Sequence, residues 1–100
     1  MSHSLTDFEN TQVLSVKGEL NALSSSELRP TLDALTRDEG CKIRVDLSGL
    51  KLLDSSGVGV LVSLYKRARA NHGTVSFVGV ADQPLSIFKL LRLDRVFAMA

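Results

Sequence analysis

The spacing of polar and apolar residues changes along this chain, and each change marks an element. Over residues 42–47 the run Lys-Ile-Arg-Val-Asp-Leu alternates polar and apolar, the pattern of a strand with one face buried. From Val58 onward Val58, Leu61, Val62, Tyr65 and Ala68 recur at helical spacing, with Ser63, Lys66, Arg67 and Ala70 on the wetter side. A strand therefore feeds a helix reaching about Asn71. Between them lie a loop over 48–53 and the turn Asp54-Ser55-Ser56-Gly57-Val58-Gly59.

Upstream, residues 1–6 carry little pattern and read as a frayed end. Residues 7–10 and 12–18 read as two strands about a tight turn at Glu9-Asn10-Thr11, with a loop over 18–21 after them. Ser24 to Glu27 matches a Ser-x-x-Glu capping box ahead of Leu28, Leu32 and Leu35, predicting a helix to about Arg37. Pro30 costs such a helix ~3 kcal/mol in its interior, so the helix either starts near Leu28 or bends. Gly40 suits the left-handed position that ends it, and His72-Gly73 ends the later helix by the same logic. Residues 74–78 are nearly continuous in β-formers and predict a central strand. Asp82 can cap a third helix with Pro84 in its first turn and Leu85, Phe88 and Leu91 as its buried stripe, before a short strand over 96–98. Strands alternating with helices after an initial hairpin imply an α/β fold: a mixed sheet of four or five strands with helices packed against it, one domain over 1–100.

Composition acts mainly by exclusion. With 12 basic and 11 acidic side chains the chain lacks the basic excess that nucleic acid would demand, and Lys66-Arg67-Ala68-Arg69 divides between helix faces. No apolar stretch is long enough to span a bilayer, and residues 1–4 lack the basic start of a signal peptide, so no membrane insertion and a cytoplasmic location are expected. Cys41 is the sole cysteine and reads as a small residue opening a strand. His3 and His72 lack companions, so no metal site is expected. The phosphate-loop ending Gly-Lys-Ser/Thr and the Gly-x-Ser-x-Gly elbow are absent, and Asp54 has neither a histidine nor a second carboxylate at useful spacing. No catalytic residue, no cofactor and no enzymatic activity are expected.

The chemistry concentrates at the strand-to-helix turn. Ser55 and Ser56 stand where an N-cap is expected, and Gly57 and Gly59 leave little bulk over the turn. A helix N-terminus also favours negative charge. Ser55 therefore has two compatible readings: a cap worth ~1 kcal/mol, or a phosphoacceptor on which modification adds roughly two negative charges beside Asp54. Ser56 is the alternative for both.

Val45-Asp46-Leu47-Ser48, then Leu53-Asp54-Ser55-Ser56-Gly57-Val58-Gly59-Val60-Leu61 and Tyr65-Lys66, resemble the signature of the STAS domain, in particular of the bacterial anti-sigma factor antagonists. Gly18-Glu19-Leu20 and residues 73–78 fall where that family has matching segments. The resemblance implies a STAS-like mixed sheet and phosphorylation of Ser55, less so Ser56, by a cognate kinase. It implies a partner-binding surface of Glu19, Asn21, Asp54, Ser55, Ser56, Gly57 and Val58. The implied partners are an anti-sigma factor that is also a serine protein kinase, bound when Ser55 is unmodified and released on phosphorylation, and a serine phosphatase, with weak homodimerisation as a further expectation. At Asn21 many relatives carry aspartate. The family's helix beyond the last strand is expected to be missing, leaving Val96, Phe97 and Met99 partly exposed or in contact with a partner. The alternative is a constitutively bound STAS subunit of a larger assembly, a stressosome-like scaffold or a lipid-transport ABC system, in which Asp54 and Ser55 only shape an interface.

Overall fold

The computed structural model describes residues 1–97. In chain order the elements are β1 (Ser2–Phe8), β2 (Thr11–Leu20), α1 (Ala22–Leu35), β3 (Lys42–Asp46), β4 (Leu50–Leu53), α2 (Ser55–Ala70), β5 (Thr74–Val78), α3 (Asp82–Leu90) and α4 (Leu93–Val96). The sheet is mixed and five-stranded, in the order β1-β2-β3-β5, with β4 paired to β2.

The amino end is a strand rather than a frayed tail. β1 pairs antiparallel with β2 from Ser2 opposite Lys17 to Phe8 opposite Thr11. Glu9 and Asn10 both have positive φ, 49° and 66°, which gives the two-residue hairpin a twist matching its strands. Every residue of β1 is exposed, so no buried face left a period in the sequence.

β2 also runs on through Leu20, across residues expected to form a loop. It pairs in parallel with β3 over Gln12 to Ser15, then with β4 over Gly18 to Leu20, the register shifting between Gly18 and Glu19. Gly18, at φ 90°, supplies the backbone freedom for that change of neighbour. β4 itself occupies the second half of the expected loop 48–53. β5, expected to be central, ends the sheet order and among the described residues pairs only with β3; of its apolar residues only Phe77 is buried.

The core lies between one sheet face and the helices. Leu14, Val16 and Leu20 of β2, Ile43 and Val45 of β3 and Phe77 of β5 meet Leu28 and Leu32 of α1, Val60, Leu61 and Leu64 of α2, and Phe88 of α3. Lys42, Arg44, Thr74 and Ser76 alternate with them and are exposed on the other face. α1 starts at Ala22, earlier than Pro30 suggested, and contains that proline. Pro30 and Ser26 are both exposed, so the carbonyl that loses its partner lies on the solvent side of the helix.

Both helix endings differ in detail from expectation. α1 is C-capped by Thr36, and Gly40, although left-handed at φ 74°, lies farther on in the turn to β3. At the end of α2 the left-handed residue is His72, at φ 59°, not Gly73. The His72 N–H donates to the Arg69 carbonyl at 3.1 Å and the Gly73 N–H to that of Ala68 at 2.7 Å, a Schellman ending. Gly73 is required for space: a Cβ there would stand 2.5 Å from the Cys41 carbonyl oxygen.

The carboxyl end departs furthest. α3 is N-capped by Ala81 without a side-chain bond, and Asp82 lies inside its first turn. Leu91 is exposed. Arg92, left-handed at φ 60°, ends α3 and starts α4 where a strand was expected over 96–98, Ala98 lying outside the described residues. The turn of α4 brings Leu93 and Phe97, four residues apart, into the core. Phe97 is only 3% exposed, stacked on Phe77 at 4.2 Å and edge-on to Phe88 at 5.7 Å. Val96 is exposed, and Met99 lies outside the described residues.

Candidate functional site

β2 and β4 end side by side, with Leu20 opposite Leu53, and each runs directly into a helix. The first turns of α1 and α2 are therefore neighbours. Asp54 is in extended conformation at φ −108°, ψ −174°, and its Oδ1 accepts the Gly57 N–H at 3.0 Å. Its own N–H donates to the Leu20 carbonyl at 3.2 Å, and its carbonyl accepts the Val58 N–H at 3.0 Å.

The cap of α2 is thus Asp54, not Ser55 or Ser56. The cap must be the last residue with strand-like backbone, and the bond to Leu20 holds Asp54 in that state. Ser55 and Ser56 become the first two residues of the helix. Ser55 is exposed and Ser56 half-buried, and neither side chain makes a hydrogen bond among the described residues. Gly57 lies beneath the surface: a Cβ there would stand 2.6 Å from the Leu20 carbonyl oxygen and 2.6 Å from Leu53 Cδ1. Val58 is half-buried against the core, whereas Gly59 is exposed with nothing near its missing Cβ.

Asn21 plays the same part for α1. Its Oδ1 accepts the Ser24 N–H at 3.1 Å, and Ser24 Oγ accepts the Asn21 N–H at 2.8 Å, a reciprocal capping box. Ser24 Oγ also reaches the Glu19 carbonyl at 2.9 Å. The box expected from Ser24 to Glu27 is therefore three residues too late: Ser24 closes it, and Glu27 is exposed in the helix. Glu19 and Asn21 are exposed at the end of β2, Asp54 and Ser55 at the end of β4, so strand pairing brings these four together. Neither first turn contains an acidic residue, which leaves both positive helix ends without a compensating side chain inside the turn.

Two features of this edge had escaped the sequence reading. Leu23, in the first turn of α1, is 72% exposed; a leucine ahead of the apolar stripe was the available signal. Gln83, from α3, holds the backbone of Leu53: its Oε1 accepts the Leu53 N–H at 2.8 Å and its Nε2 donates to the Leu53 carbonyl at 3.0 Å. Nothing local in the sequence marks that contact, which spans 30 residues.

In the adjoining β3–β4 turn the Ser48 N–H donates to Asp46 Oδ1 at 2.9 Å, and this bond holds the Asp46 carboxyl below its ordinary range. Burial pushes the Cys41 thiol up from its ordinary value, which lowers its thiolate fraction and so its reactivity at neutral pH. Among the described residues no group of three His, Cys, Asp or Glu side chains could hold a metal ion, and no helix is long and apolar enough to cross a membrane.

A mixed five-stranded sheet covered by helices on one face, with an Asp-Ser-Ser turn, its Asp54 and Ser55 exposed, opening the helix after its shortest strand, defines an α/β domain of STAS type. The family model described as Mlab, STAS domain matches residues 4–99, and the chain belongs to the STAS domain family. The anti-sigma-B factor antagonist of Listeria monocytogenes is 27% identical over 81 residues, 81% of this chain and 71% of the relative. That of Staphylococcus aureus is 30% identical over 78 residues, 78% of this chain and 72% of the relative. Among solved structures, the anti-sigma factor antagonist SpoIIAA in its unphosphorylated form aligns with a TM-score of 0.70 at 19% identity, covering 95% of this chain and 97% of that one. The Bacillus cell fate determinant SpoIIAA in its phosphorylated form gives 0.74 at 21% identity, covering 94% and 86%. These structures share the fold of this chain.

Proposed function

We propose that this protein is an anti-sigma factor antagonist whose partner binding is switched at Ser55. In this reading the unmodified turn docks on an anti-sigma factor that is also a serine kinase, and phosphorylation of Ser55 releases it until a phosphatase resets the site. One observation carries the proposal: because Asp54 caps α2, the Ser55 hydroxyl is exposed and, among the described residues, engaged in no bond that modification would have to break. A phosphate at the first helical position meets the free N–H groups and the positive end of α2, so it adds charge without opposing the fold. The change falls on docking, through like-charge repulsion and desolvation at a close interface. The names of the curated relatives, and the two phosphorylation forms of SpoIIAA, support the same reading.

The second reading is a constitutively bound STAS subunit of a larger assembly, and the family model's description as Mlab, rather than as an antagonist, favours it. Parallel captures from the source cell with wild type, Ser55→Ala and Ser55→Asp separate the two. The switch predicts an ATP-binding serine kinase retained by wild type and Ser55→Ala, lost with Ser55→Asp, and able to phosphorylate wild type but not Ser55→Ala. One assembly retained equally by all three baits would replace the switch with the constitutive subunit.

A further inference from the structure

The backbone leading into Ser55 is held from two sides at consecutive residues. The Asp54 N–H points to β2 and donates to Leu20, while both backbone groups of Leu53 point the other way and are taken by the single carboxamide of Gln83. In a strand, the N–H and C=O of one residue project from the same edge, so this carboxamide does for β4 what a neighbouring strand would do. β4 has four residues and among the described residues pairs only with β2, which leaves that outer edge otherwise without a strand there.

The start of α3 is shaped to deliver the carboxamide. Asp82 is left-handed at φ 55°, an uncommon state for a residue other than glycine, and Pro84 is fully buried, which fixes the chain immediately after Gln83. Among the described residues no side chain caps α3; the first-turn residue that could have served its own helix reaches across to β4 instead.

We propose that Gln83 is the positioning residue of the Asp54-Ser55 turn. It fixes Leu53, hence the point at which the strand-like backbone ends at Asp54, hence the angle at which α2 presents Ser55. Its functional meaning rests on the switch reading above, but its test does not. A merely structural carboxamide would satisfy Leu53 and contribute to overall stability; a positioning one controls the cap at the next residue, Asp54.

Amide hydrogen exchange of the full chain, without any partner, tells the two apart. The reporters are Leu53, which bonds Gln83 directly, Gly57, which bonds the Asp54 cap, and Leu14 and Val45 in the buried sheet. In Gln83→Ala, exchange at Leu53 and at Gly57 is expected to accelerate about tenfold beyond any change at Leu14 and Val45, as for local opening. Gln83→Glu keeps an acceptor for the Leu53 N–H but sets its second oxygen against the Leu53 carbonyl, so it is expected to restore only part of the protection, and at both sites alike. Acceleration at Leu53 with Gly57 unchanged would overturn the proposal, since Gln83 would then serve Leu53 alone. Equal acceleration at all four amides would overturn it too, as a loss of global stability. Whether a kinase engages Ser55 is decided by the captures and does not enter this measurement.

Discussion

Gly57 and Gly59 stand two residues apart in one helix, and replacing each with alanine is expected to move stability in opposite directions. At Gly57 a methyl group meets the Leu20 carbonyl oxygen and Leu53 Cδ1 at 2.6 Å and Leu20 Cγ at 2.9 Å. The leucine side chains can turn away in part. The carbonyl cannot, because it accepts the Asp54 N–H that sets the start of the helix. Overpacking of this kind costs about 1–3 kcal/mol, against a helix-propensity gain of at most ~1 kcal/mol, reduced in the first turn. The net expectation is a loss of about 1–2 kcal/mol. At Gly59 nothing lies within 4 Å of the added Cβ and the residue is exposed, so only the propensity term remains. Gly59→Ala should gain about 0.5–1 kcal/mol. For a domain of this size each kcal/mol moves Tm by roughly 4–8 °C. Thermal and urea unfolding followed by circular dichroism would therefore place the two variants on opposite sides of wild type. If Gly57→Ala melts at or above wild type, the contact between α2 and the ends of β2 and β4 is not as tight as described, and Gly57 is there for surface relief alone.

Three further expectations follow from single contacts. Asp54→Ala should cost about 1 kcal/mol in urea unfolding by removing the cap of α2, while Asp54→Asn, which keeps an acceptor for the Gly57 N–H, should cost much less; equal losses would show that the charge and not the bond matters. The Asp46 carboxyl, held below its ordinary value of 3.8 by the Ser48 N–H and then by the Ser48 side chain, favours the folded state when ionised. That contribution is complete above its unfolded pKa and lost as pH falls through the lower folded one, so the advantage of wild type over Asp46→Asn should be constant at neutral pH and shrink below about pH 3.8 in acid unfolding. Cys41, pushed above 9.0 first by burial and secondarily by Asp38, should react with iodoacetamide at pH 7 several-fold more slowly in the folded chain than in urea.

The elements legible in the sequence were those with one buried face. β3 alternates Ile43 and Val45 with Lys42 and Arg44, and the stripe of α2 is visible through Leu61 and Ala68, because burial on one side imposes a period. β1 exposes both faces, so its only local mark was the turn at Glu9-Asn10. β4 is defined by its partner: four residues become a strand because β2 extends beyond β3 and offers them an edge. The last turn is the same case reversed, since Val96 to Ala98 has the composition of a strand, yet Phe97 finds its aromatic neighbours only if Leu93 to Val96 coil.

The site was legible as a location and not as a set of roles, and the difference is one residue of register. Ser55 and Ser56 were the expected caps, yet aspartate caps almost as well as serine, so composition cannot rank Asp54 against them. The choice falls to the strand: the Leu20 carbonyl takes the Asp54 N–H, and Gln83, thirty residues on, takes both groups of Leu53. Had the extended backbone run one residue further, Ser55 would be the cap and its oxygen would accept an amide of the first turn. Phosphorylation would then have to break the bond that starts the helix. With the cap at Asp54 the hydroxyl makes no hydrogen bond among the described residues, so the phosphorylation proposed above would leave the bond that starts α2 intact.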